Sequence, residues 1–114
     1  MKKEHKIKFY GSYFLDFYFN QSAAIQEKID FVLMLIKSVE RIPEKFFKYV
    51  EGTDAIYEVR IEYHKIQIRM FSCFDIGNSI ILFNAFIKKK KQTPKKELEL
   101  AIKLKKKCFL ERNK

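Results

Sequence analysis

With two histidines, His5 and His64, and two cysteines, Cys73 and Cys108, the 114-residue chain has little from which to build a metal centre. The histidines are far apart in sequence and the cysteines have neither ligand spacing nor a second pair. No metal and no cofactor are therefore expected, and the thiols read as reduced packing groups rather than a disulfide or zinc site. There is no Pro- or Ser-rich linker, no internal repeat and no low-complexity tract apart from the lysine run at 88–91. No run of about 18 uncharged apolar residues occurs, which argues against a membrane-spanning helix. The start, Met1-Lys2-Lys3-Glu4-His5-Lys6, leads into no signal-peptide core, so a cytoplasmic location without a membrane partner is expected. The length holds one domain, residues 1–114, with room for a core but not for two.

What is present is apolar and basic. A 47% hydrophobic and 16% aromatic content is that of a globular protein. The net charge of +10 is concentrated at one end: residues 88–114 hold 12 Lys or Arg against 3 acids, whereas residues 1–87 hold 12 against 11. A basic end on a balanced domain points to a polyanionic partner, nucleic acid before an anionic membrane.

Residues 56–63 and 66–74 alternate around His64-Lys65 and predict a tight antiparallel hairpin. A third strand, 79–87, returns through Asp75-Ile76-Gly77-Asn78, completing a meander. Symmetric turns place Arg60 opposite Arg69 and Arg69 opposite Asn84 on one face. That face also carries Glu58, Glu62, Gln67, Phe71, Cys73, Leu82 and Phe86. Tyr57, Val59, Ile61, Tyr63, Ile66, Ile68, Met70, Ser72, Phe74, Ile81, Phe83, Ala85 and Ile87 make the other face almost wholly apolar, so helices must cover it. Like charges directly opposite on neighbouring strands cost about 0.2–1 kcal/mol. Either Glu58 and Glu62 compensate the arginine pair, or the pair awaits an anion with carboxylate or phosphate geometry.

Ahead of the meander, residues 7–10 predict a short strand that joins the sheet, and the aromatic stretch 13–19 a helical turn. Asn20-Gln21-Ser22 caps a helix reaching about Val39. Its stripe of Ile25, Ile29, Val32, Leu33 and Ile36 faces the apolar side of the sheet. Pro43 blocks continuation, residues 44–50 suggest one more short helical segment with Phe46 or Phe47 inward, and Gly52-Thr53-Asp54 turns the chain into the meander. After the lysine run, Thr93-Pro94 reads as the cap and first position of a basic C-terminal helix, docked through Leu98, Ala101, Ile102, Leu104, Cys108 and Phe109. The fold class is thus α+β: a mostly antiparallel sheet, covered on one face by N-terminal helices, with a basic C-terminal helix.

Four ordered pieces carry a resemblance. They are Phe46-Phe47-Lys48 leading to Gly52-Thr53-Asp54; Ile56-Tyr57-Glu58-Val59-Arg60; Ile68-Arg69-Met70-Phe71; and Phe86-Ile87-Lys88-Lys89 followed by Thr93-Pro94-Lys95-Lys96-Glu97-Leu98-Glu99-Leu100-Ala101. In this order the chain resembles the RelE/ParE superfamily of toxins from type II toxin–antitoxin modules, in its HigB-like, phage-derived branch. Ala55 stands where that branch commonly has glycine, and Lys90-Lys91-Gln92 replaces a more usual Thr-Gln-Lys. The resemblance implies two N-terminal helices on a mostly antiparallel sheet and ribosome-dependent cleavage of mRNA. In that chemistry the ribose 2′-hydroxyl attacks the scissile phosphate, leaving a cyclic phosphate and a free 5′-hydroxyl. It also implies an antitoxin partner, usually a helix-turn-helix protein.

Carried over by motif, Arg60 binds phosphate and Arg69 stabilises transition-state charge. Lys88 and Lys89 supply a phosphate ligand or proton donor, and Lys90, Lys91 and Asn84 complete the RNA-binding set. The resemblance names no general base: His64 lies in a turn, Tyr57 and Tyr63 fall on the apolar face, and Glu58 and Glu62 read as arginine partners. The rival readings are a non-catalytic toxin of the same fold acting on a protein such as DNA gyrase, and a basic nucleic-acid-binding module.

Overall fold

Alternation at the centre of the chain builds the sheet in this computed structural model, which describes residues 4–112. Met1, Lys2, Lys3 and Lys114, counted above for sequence and charge, lie outside them. Five strands, β1 (Lys6–Phe9), β2 (Phe47–Tyr49), β3 (Tyr57–Tyr63), β4 (Ile66–Asp75) and β5 (Ser79–Lys88), form one sheet ordered β1-β5-β4-β3-β2. β1 runs parallel to β5 and the other pairings are antiparallel. Three helices among the described residues complete the fold: α1 (Tyr13–Phe19), α2 (Ala23–Ser38) and α3 (Lys95–Arg112). Among the described residues no helix is long and apolar enough to cross a membrane.

α1 and α2 cover one face, as expected. Ser22 accepts the Ile25 backbone N–H at 3.3 Å to cap α2, a contact of the kind that stabilises a helix by about 1 kcal/mol. Ile25, Ile29, Val32 and Ile36 then pack with Phe14 of α1 on Phe47, Val59, Ile61, Ile68, Met70, Ile80 and Leu82. α3 lies on the opposite face, where its Ala101 packs with Ile56, Phe71 and Phe86 and its Leu104 with Cys73, Ile81 and Phe83. The arginine-bearing face is therefore half core, and β4, between two layers, is buried through most of its length.

The first hairpin has the expected register, Arg60 opposite Arg69, around a two-residue turn in which His64 takes φ 55°. The second does not. Residues 76–78 form a short 3-10 turn with Gly77 at φ 72° and Asn78 at φ 65°, so Asp75 pairs with Ser79 instead of Asn78. Further along, Ser72 pairs with Leu82 but Met70 pairs with Ala85, so β5 carries one extra residue. This bulge turns Phe83 and Asn84 both toward α3. Ile81 and Phe83 consequently pack under α3 rather than under α2, Leu82 crosses to the α2 side, and the residue opposite Arg69 is Phe86, not Asn84.

The segment 44–50 also corrects the sequence reading. It makes a turn and then the edge strand β2, pairing Phe47 with Val59 and Tyr49 with Tyr57, because an aromatic stacked on Tyr57 is worth more there than a helical turn after Pro43. Phe47 is the inward residue. At the far edge, both ring nitrogens of buried His5 lie 3.0 Å from carbonyl oxygens, those of Asn78 and Glu40, fastening the start of β1 to two loops. The end of α3 is fastened by an ion pair from Arg112 to Asp75, whose Oδ2 also lies 3.6 Å from Lys8 Nζ.

Candidate functional site

Because side chains alternate along each strand, the α3 face presents its residues in rows across β3, β4 and β5. The row nearest the first hairpin turn is Glu62, Gln67 and Lys88; the next is Arg60, Arg69 and Phe86; the third begins with Glu58 and Phe71. Phe71 and Phe86 lie under α3. Beyond Phe86, the first two rows open into a groove of about 490 Å³ lined by Arg60, Glu62, Lys65, Gln67, Arg69 and Lys88, Lys89, Lys90 and Lys91. Among the described residues, seven basic side chains thus face a single lining carboxylate.

One carboxylate oxygen holds the arginine pair together. Glu58 Oε1 lies 3.3 Å from Arg60 Nε and 3.4 Å from Arg69 Nε. Neither Nε–H is aimed well enough at it to make a hydrogen bond, so the pairing is Coulombic. Arg69 donates from Nη1 to the Ile68 carbonyl at 3.1 Å and makes a long contact of 3.5 Å from Nη2 to Gln67 Oε1. Its residue is 2% exposed, and burial pulls its pKa down from the ordinary arginine value, opposed by Glu58 and reinforced by Arg60. The guanidinium nevertheless stays charged, since arginine does not lose its proton in proteins. Two guanidiniums sharing one carboxylate leave a net positive charge at the groove floor.

Arg60, with 31% of its side chain exposed, is the accessible member of the pair, and Arg69 forms the floor beneath it. Glu58 is the compensating acid expected from the sequence. Glu62 is exposed and, among the described residues, forms no ion pair. The structure brings Arg60, Arg69, Lys88, Lys89, Lys90 and Lys91 into one groove. It removes Asn84, which is buried and donates from Nδ2 to the Glu97 carbonyl and Oε1 at 3.0 and 2.9 Å, holding the first turn of α3. Lys65 and Gln67 join the groove without having been singled out as site residues. Their signal was parity and turn position: Gln67 shares the arginine face and Lys65 lies at the end of the hairpin.

His64 is exposed and lines a second groove rather than the first. Among the described residues no cluster of three or more His, Cys, Asp or Glu is placed to hold a metal ion. Cys73, under α3, and Cys108, on the helix's packed side, are free thiols.

Residues 16–106, most of the chain, match the model of a family described as phage derived protein Gp49-like (DUF891). No curated protein matches the chain.

Proposed function

The chain belongs to the Gp49-like family of phage-derived proteins, a toxin-like family of the RelE and HigB type, and on that premise we propose that it is a toxin that cuts translated messenger RNA. The observation that carries this reading is the arginine pair with one shared carboxylate on the floor of a lysine-walled groove. Such a site is short of negative charge. A phosphodiester entering it gains bidentate contacts from Arg60 and a fixed positive field from Arg69.

Cleavage then follows the chemistry of a ribose beside a held phosphate. The 2′-oxygen forms a bond to phosphorus, the bond from phosphorus to the 5′-oxygen breaks, and the products are a 2′,3′-cyclic phosphate and a 5′-hydroxyl. Charge accumulates on the non-bridging oxygens at the transition state, where a preorganised cation contributes most, because it needs no reorientation. Glu62, the one carboxylate lining the groove among the described residues, takes the 2′-hydroxyl proton; Lys88, across the row from it, returns a proton to the leaving 5′-oxygen. The neutralising partner is an antitoxin, a helix-turn-helix protein in the HigB-like branch that the chain resembles.

The test is primer extension on a translated reporter message after brief induction, comparing the native chain with Arg60→Ala and Arg69→Lys, the second keeping the charge but losing the planar fork. Cuts within the reading frame that need translation and disappear in both variants are expected. Growth arrest with intact message refutes the ribonuclease and turns the search to a protein target.

A further inference from the structure

β2 pairs only with residues 57–59 of β3, so the other end of β3 lies at the sheet edge. A second groove, of about 560 Å³, opens there. It shares Arg60 and Glu62 with the first, so the two grooves meet at these side chains. Its other walls are Lys28 and Phe31 from α2, Lys45 and Phe46 from the segment entering β2, and His64 from the hairpin turn.

Phe31 is 58% exposed on a helix whose buried stripe is supplied by other residues. A single exposed phenylalanine needs no explanation. Here, however, two aromatic rings line one groove, and each carries its own ammonium: Lys28 Nζ is 5.5 Å from the Phe31 centroid and Lys45 Nζ is 5.4 Å from that of Phe46. Aromatic faces interleaved with cations, continuous with a polybasic channel, form the combination that holds single strands: bases stack and phosphates pair. A protein partner would have to bring acidic residues to Lys28, Lys45 and Arg60 while leaving the contiguous lysine channel unused.

We propose that this groove is a base-stacking subsite for single-stranded RNA. A strand whose phosphate lies over Arg60 and Arg69 continues past Arg60 and lays a neighbouring base on Phe31, with Lys28 and Lys45 against its backbone. The subsite rests on the reading of the first groove as the phosphate site and adds the direction in which the strand leaves it. Stacking on a phenyl face is tolerant of base identity, so the subsite sets affinity and placement rather than a fixed sequence.

The experiment uses the full chain and two non-cleavable probes of equal length: a 2′-O-methyl oligoadenylate and its abasic counterpart, each titrated by fluorescence anisotropy. Phe31→Ala is expected to weaken the oligoadenylate by about ten- to a hundredfold while leaving the abasic strand unchanged. The double variant Lys88→Ala with Lys89→Ala, altered only in the first groove, is expected to weaken both probes by a common factor. Equal losses on the two probes for Phe31→Ala, or no loss, overturn the stacking subsite even when the lysine variant behaves as expected. Unchanged binding of both probes by the lysine variant overturns the phosphate reading of the first groove instead, whatever Phe31→Ala does.

Discussion

Replacing Glu58 by glutamine removes the only carboxylate within 4.0 Å of the two arginines among the described residues and keeps the side chain's shape. At 3.3 and 3.4 Å, both guanidiniums lose their strongest attraction together. Arg60, partly exposed, turns toward water and recovers hydration; Arg69, sealed under the row, does not. Removing one partner of a buried pair costs about 3–5 kcal/mol, and because one of the two arginines can resolvate, the lower end, about 3 kcal/mol, applies. That is a large share of the roughly 5–15 kcal/mol that holds a domain folded. For a chain of this size it corresponds to a fall in melting temperature of about 10 °C. An anion that enters between the freed guanidiniums stabilises the folded state by mass action. Thermal melts at constant ionic strength, with chloride exchanged for phosphate, should therefore show Glu58→Gln gaining more than the native chain does. Two results would refute the reasoning: a variant that melts with the native chain, or one whose phosphate response equals the native response.

Three further outcomes follow from other parts of the fold. Ala55 sits exposed at φ 56°, a conformation that costs an L-residue about 1–2 kcal/mol, so Ala55→Gly should raise urea-unfolding stability by up to about 1 kcal/mol after the glycine's extra chain entropy; a loss of stability would show that the turn is not strained. Burial pushes the Cys73 thiol up to about 11, so at pH 8 a disulfide reagent should label it only as fast as α3 lifts from the sheet. Truncating Arg112, which anchors that helix, should speed the labelling. The hydrogen-bonded Arg112 guanidinium also holds the Asp75 carboxyl below its usual range. Stability from a depressed carboxyl is present above its unfolded pKa and lost as pH falls through the folded one, so the deficit of Arg112→Ala should be full at neutral pH and shrink below about pH 4 in acid titrations of unfolding.

How far the sequence could be read depended on what fixed each register. Around His64-Lys65, strict alternation on both sides admits one pairing, so the sequence alone places Arg60 opposite Arg69. Around Gly77-Asn78, two consecutive left-handed residues lengthen the loop by one position, and nothing in Asp75-Ile76-Gly77-Asn78 distinguishes that from the symmetric turn. The bulge at Phe83 and Asn84 was equally hidden, because an extra residue in a strand leaves the composition of the run unchanged. Together they sent Asn84 out of the site. β2 is hidden because Glu44 and Lys45 favour helix, whereas the strand that follows is decided by its partners Tyr57 and Val59, eight and twelve positions away. The second groove was out of reach for a related reason: Lys28, Phe31, Phe46 and His64 belong to three segments that only tertiary packing brings together.

The parallel pairing of β1 with β5 has a consequence for the order in which the molecule assembles. The hairpin bearing both arginines closes across two residues, whereas His5 meets Asn78 across 73 positions. By ideal-chain scaling the longer closure costs about 3 kcal/mol more entropy, so β1, the first strand made, is the last to dock. Until it does, β5 presents an unpaired edge. Any copy's β1 fits that edge as well as the chain's own, so exchange of this four-residue strand between molecules is the misassembly to which the fold is most open.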